Sequence, residues 1–207
     1  ISLTGITREN VSVGLDDDQN LRYFALPTPG YENAYGYETA DQIGCFDQNG
    51  VFISEVSAVQ EIKSSDNDWI ELHNGGTEAV DLTGWYLSDD PDEPQKFSLD
   101  GLTIEAGGYL VIEATSHTTR QTSGVAPFGI SPAGETIVLT DAEGNLADAF
   151  DTGALSPGIT SGRVESDPSI ARVFFQTATK GKKNDSDVST GVSAQPVFSE
   201  TGLYHTD

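Results

Sequence analysis

From Phe52 to Phe150 the chain is a succession of short β-rich runs separated by glycine turns. No window sustains the apolar period of a convincing amphipathic helix. Ser57–Ser64 comes nearest, and it is short. The runs Val51–Val56, Trp69–His73, Gly84–Ser88, Gln95–Leu99, Tyr109–Glu113, Thr136–Thr140 and Ala147–Phe150 read as strands at the spacing of a sandwich. Asn74-Gly75-Gly76, Asp100-Gly101 and Ala106-Gly107-Gly108 supply the turns between them. Ala142–Asn145 predicts a hairpin. In the Trp69 strand, Ile70 and Leu72 share one face, with Trp69, Glu71 and His73 on the other. That parity predicts Trp69 as a lid at one edge rather than a central core residue. Gly84 permits a bend that lets Trp85 enter the core, and Leu87 then points the same way.

The motifs run in a definite order. Ser54-Glu55-Val56 is followed by Asp68-Trp69-Ile70-Glu71-Leu72, then Val80-Asp81-Leu82-Thr83-Gly84-Trp85 and Ala106–Val111. Phe128–Ser131, Gly134-Glu135, Asp148-Ala149-Phe150 and Ser161-Gly162-Arg163 complete the series. This ordered set resembles the lamin-tail domain, and in its Ser88–Asp92 stretch the bacterial surface or exported version. The resemblance implies an immunoglobulin-like β-sandwich over residues 52–184. It also implies a non-enzymatic binding or spacer module of a larger exported or cell-surface protein, hence an extracellular location. Its partner would be a protein, a glycan or neighbouring domains of the same chain. The alternative it leaves open is an accessory domain that positions an adjacent hydrolase, nuclease or spore-coat-kinase-like domain.

Charge narrows the partner. Ten Lys and Arg stand against 33 Asp and Glu, a net charge of −23. Nucleic-acid affinity rests on basic groups neutralising phosphates, so nucleic acid is not expected as a partner. No run of about 18 apolar residues suits a membrane helix, and membrane insertion is not expected. Cys45 is the single cysteine, so no internal disulfide forms, and it reads as a small neutral residue rather than a nucleophile.

No catalytic constellation is legible. His73, His117 and His205 lack ligand spacing. Glu55 and Glu71 are carboxylates within apolar strands. Glycoside chemistry needs such a pair at ~5 Å or ~6.5–9.5 Å. A structural pair, held by Arg163 or by backbone N–H groups, is the simpler expectation. No cofactor is expected, with Ca²⁺ as the exception to consider. The candidates are Asp66 and Asp68 before one strand, and Asp89, Asp90 and Asp92 after another. Calcium takes about six to eight oxygen ligands, which Asp- and Asn-rich loops supply. Neither cluster matches an EF-hand loop, and Asp90-Pro91-Asp92 is more simply a type I turn with proline at its second position. Thr115–Ser123 is a polar loop of the kind that carries recognition in a sandwich.

The ends repeat one another. Arg22-Tyr23-Phe24 precedes Thr28–Asn33, and Arg172–Phe175 precedes Thr179–Asn184, with Asn33 and Asn184 151 positions apart. Residues 1–33 therefore read as the closing segment of a preceding lamin-tail-like repeat. Its strand Leu21–Leu26 is expected to dock on an exposed sheet edge of this chain or a neighbour. Residues 34–51 read as a linker. Residues 185–207 read as a further linker and, from Pro196, the start of a following β module. The chain also begins without Met and without a signal peptide, so it is expected to be a fragment or a processed product.

Overall fold

The computed structural model describes residues 12–15, 19–24, 50–59, 66–164, 172–185 and 188–189. In chain order its strands are β1 (Ser12–Leu15), β2 (Leu21–Phe24), β3 (Val51–Ser57), β4 (Asp68–Asn74) and β5 (Val80–Asp81). Next come β6 (Tyr86–Ser88), β7 (Phe97–Ser98), β8 (Thr103–Ile104), β9 (Tyr109–Ala114) and β10 (Val125–Ala126). The last five are β11 (Thr136–Thr140), β12 (Leu146–Asp151), β13 (Thr160–Gly162), β14 (Val173–Phe175) and β15 (Val188–Ser189). No helix occurs among the described residues.

Two sheets face each other. One runs β10-β9-β4-β3-β13-β14-β15 and the other β12-β11-β6-β7. Strand alternation explains why they close. Ile70 pairs with Ile112, and Leu72 with Leu110, so these apolar residues share the inner face of the larger sheet. They join Ile53, Val56, Leu87, Ile137, Leu139 and Phe150 in one core. Each such side chain, fully buried, contributes about 1.5–3 kcal/mol. At one end β5 pairs with β8, and Leu82, Leu99 and Ile104 close the core there. The turn between β5 and β6 places Gly84 at φ 84° and returns the Trp85 N–H to the Leu82 carbonyl at 2.9 Å. Trp85 is half-buried and packs against that core, beside the fully buried Leu87.

The strand expectations match the observed β3, β4, β6, β7, β9, β11 and β12 to within one or two residues at each end. The predicted hairpin joins β11 to β12, with Asp141 accepting the Asn145 N–H on its side chain at 2.7 Å. Two boundaries move. Val51, where the linker and strand expectations overlap, belongs to β3. Val188–Ser189, also assigned to a linker, pairs with Phe174 and Phe175 as β15, because the outer edge of β14 offers unpaired backbone groups. The strand at Leu21–Phe24 pairs with β1 in a two-stranded sheet of its own rather than joining an edge of the sandwich. Cys45, Thr28–Asn33 and the Pro196–Tyr204 stretch lie outside the described residues.

Candidate functional site

The outer face of the larger sheet holds two buried acids, and a bulge brings Glu55 to it. The pairing of β3 with β4 shifts between Ile53 and Glu55, so Ser54 is an extra residue. Strict alternation would place Glu55 on the same side as Ile53, inside the core, and Val56 outside. The bulge reverses the parity. Val56 enters the core, and Glu55 comes opposite Glu71 on the outer face.

Residues 179–184 lie across this pair as a strap. Thr179 donates its N–H to Glu55 Oε2 at 3.0 Å and its hydroxyl to the same oxygen at 2.7 Å. Thr160 donates its hydroxyl to Glu55 Oε1. Glu71 accepts the Ser54 hydroxyl at 2.8 Å and the Gly181 N–H. Asn184 donates Nδ2–H to the carbonyl of Ser54 at 2.8 Å, and its Oδ1 lies against the Thr179 hydroxyl. Glu55, Glu71 and Asn184 are fully buried.

Burial pushes the Glu55 carboxyl up, against the pull of the Thr160 and Thr179 hydrogen bonds. The hydroxyl of Thr179 has one proton and two acceptors, Glu55 Oε2 and Asn184 Oδ1. The raised pKa favours the neutral acid at Glu55, which eases the repulsion between two carboxyls placed directly across a strand pair.

Aromatic side chains flank the pair on this face. His73 stacks on Tyr109 at 4.3 Å and meets the edge of Phe52 at 5.2 Å. Trp69 is buried here, outside the main core, with Lys180 Nζ 5.1 Å from its ring centroid.

Arg163 does not serve Glu55 or Glu71, as the sequence suggested. It forms a bidentate pair with Asp148 at 2.7 and 2.8 Å and donates to the carbonyls of Ile53 and Ala149. Asp148 Oδ2 also accepts the Ile53 N–H at 2.8 Å. The physical reason lies in the edge of β3. Strand β13 pairs only with Glu55 and Val56, so the N–H and C=O of Ile53 need other partners. Asp148 and Arg163 supply them, and in doing so join β12 of one sheet to β3 of the other.

The five carboxylates considered for calcium separate by role. Asp68 accepts the N–H of Val59 at 2.6 Å and of Ile130 at 2.7 Å, and burial pushes its carboxyl up. The carbonyl of exposed Asp66 accepts from Arg120 at 3.2 Å. Asp89 and Asp90 pair with Lys96 at 3.0 and 3.3 Å. Asp90 also accepts the Asp92 N–H at 3.0 Å, while its carbonyl accepts the Glu93 N–H at 3.1 Å, which makes 90–93 a turn. Asp92 is exposed. No group of three or more His, Cys, Asp or Glu arranged to hold a metal ion occurs among the described residues.

Both clusters act on a residue that the sequence did not single out as a site. Burial pushes Glu135 up to about 7, and the charges of Asp89 and Asp68 push the same way against Lys96. Its carboxylate accepts the Ser131 N–H at 2.9 Å. No local motif announces this position, since its neighbours arrive from β4 and from the loop after β6. Folding raises this pKa from 4.5, so the fold favours the protonated acid. The stability gained is complete below about 4.5 and is lost as pH rises through about 7. Glu135→Gln is therefore expected to flatten that fall, gaining a few degrees in melting temperature over the parent chain by about pH 8. Parallel melting-temperature profiles for the two proteins across this range would refute the assignment.

The loop 115–124 leaves residues 116–119 and 121–124 exposed. Its backbone is held by Arg120 N–H to the His117 carbonyl at 2.9 Å, and by Gln121 to the Thr115 carbonyl at 3.3 Å.

The family model described as Lamin Tail Domain matches residues 46–154. No curated protein and no solved structure matches the chain. The matched span includes the acidic pair and Asp148 but stops short of Arg163, β13, β14 and the strap.

Proposed function

The chain belongs to the lamin tail domain family, whose members are immunoglobulin-like, and from that premise we propose a non-enzymatic binding or spacer module of a larger exported or cell-surface protein. One observation carries this reading. The buried acids Glu55, Glu71 and Asp148 are held by donors of the chain itself, from Thr160, Thr179, Gly181, Ser54 and Arg163. Acid–base work on a ligand needs a carboxyl that meets the ligand. Recognition falls instead to the exposed polar loop at 116–124, set on the rigid end of β9. The partner is a protein or a glycan, with neighbouring domains of the same polypeptide as the spacer case. The charge of −23 disfavours nucleic acid.

Glycan and surface-protein arrays test the binding role. Saturable binding by the chain is expected, together with its loss when 116–123 is replaced by a Gly-Ser linker that leaves the melting temperature unchanged. Turnover of a bound glycan by the parent chain would overturn the proposal, as would undiminished binding by the loop variant.

A further inference from the structure

The strap meets its socket through three positions. Thr179 brings an N–H and a hydroxyl to Glu55, Gly181 brings an N–H to Glu71, and Asn184 brings an amide N–H to the Ser54 carbonyl. Residues 180, 182 and 183 between them are exposed. Among the described residues no hydrogen bond uses the N–H of Lys180. The socket therefore asks for Thr-x-Gly-x-x-Asn and tolerates proline at the second place, where no N–H is needed.

That pattern occurs twice in the sequence, at Thr179–Asn184 and at Thr28-Pro29-Gly30-Tyr31-Glu32-Asn33. Thr28, Gly30 and Asn33 lie outside the described residues, but the strands before both patterns are described and correspond. β14 ends at Phe175, with Thr160 of β13 opposite it. β2 ends at Phe24, with Ser12 of β1 opposite it. In both cases a hydroxyl residue faces the last aromatic of an antiparallel strand pair, and threonine follows four residues later. The difference lies in what comes next to the pair. β13 adjoins β3, the strand that carries Ser54 and Glu55, whereas β1 and β2 have no third strand beside them among the described residues.

We infer that the Ser54–Glu55–Glu71 face is a recognition site for a Thr-x-Gly-x-x-Asn segment, and that Thr28–Asn33 is a second such segment, suited to the same face of another sandwich of this kind. The socket described here already holds its own strap, so the second strap is directed to a second module. Each link carries one socket filled by its own strap and, N-terminal to that socket, one strap to offer. This connection is independent of whatever the exposed loop binds.

A strap exchange in the full chain tests the inference. K180P/K182Y/K183E rewrites the strap as the 28–33 sequence. It is expected to melt within about 4 °C of the parent, the loss of the Lys180 contact with Trp69 included. T179V/N184L keeps the lysines and removes the recognised groups, and is expected to melt more than about 10 °C lower. A synthetic peptide of residues 21–35, added to T179V/N184L, is expected to raise its melting temperature or restore its near-UV signal. The same peptide with Thr28→Val and Asn33→Leu is expected to do neither. The inference is overturned if the exchanged strap melts as low as T179V/N184L, if T179V/N184L melts like the parent, or if the two peptides act alike.

Discussion

Arg163→Met is expected to destabilise the folded chain by about 3–5 kcal/mol, a large share of an ordinary domain's total. The guanidinium is 5% exposed and its partner Asp148 is 1% exposed. Removing it leaves a buried carboxylate with the Ile53 N–H as donor and both guanidinium donors gone. The carbonyls of Ile53 and Ala149 each lose a donor as well, and Phe150 loses the cation 4.8 Å from its ring. The pair joins two sheets, so no single strand can shift to compensate. R163M/D148L is expected to be more stable than R163M alone, because the uncompensated charge goes while the Ile53 backbone remains short of partners. Urea denaturation at neutral pH reads the effect as a fall in midpoint at constant slope. A loss below about 1 kcal/mol, the scale of an exposed ion pair, would refute the argument.

Gly162→Ala is expected to cost about 3 kcal/mol, at the upper end for one added methyl group. A Cβ on Gly162 would stand 2.3 Å from the Ser54 carbonyl oxygen, and 3.1 Å from both the Glu55 Cα and the Phe175 ring. Two of these three neighbours are backbone, so no flexible side chain can swing aside. The carbonyl that must move accepts the Arg163 N–H at 2.9 Å and the Asn184 amide at 2.8 Å. Displacing it therefore disturbs the bulge, the Arg163 turn and the strap together. The same denaturation experiment measures it, and a loss below about 1 kcal/mol would mean that β13 and β3 are not packed this closely.

These two effects mark where sequence reading ends. The alternation in Trp69–His73 and the run Thr136–Thr140 carried the strands of the sandwich, since a period of two with turn residues at both ends has one simple outcome. The structural use of Glu55 and Glu71, and backbone N–H groups as partners, were also legible. The bulge at Ser54 was not. In Phe52-Ile53-Ser54-Glu55-Val56 two polar residues stand side by side, but nothing local says which is the extra one, and pairing with β4 shows the phase change. The partner of Arg163 was misread for a related reason. Asp148 is 15 residues away and belongs to the other sheet, and no local pattern records which strand edges run short of partners. Glu135 acquires its character from Asp68 and Asp89, both distant in sequence.

The strap also fixes a timetable. Asn184 contacts Ser54 across 130 positions, and β13 covers the edge of β3 only after seven other strands of the sandwich's two sheets have been made. At about 5–20 residues per second, β3 emerges from the ribosome roughly 6–26 s before the residue that fastens it. Through that interval its edge is unpaired, and Glu55 and Glu71 lack the donors that the strap brings. Closure then removes both from solvent in one late step. High contact order of this kind makes folding slow, and it places the commitment to the native state at the far end of the sandwich's own sequence rather than at its beginning.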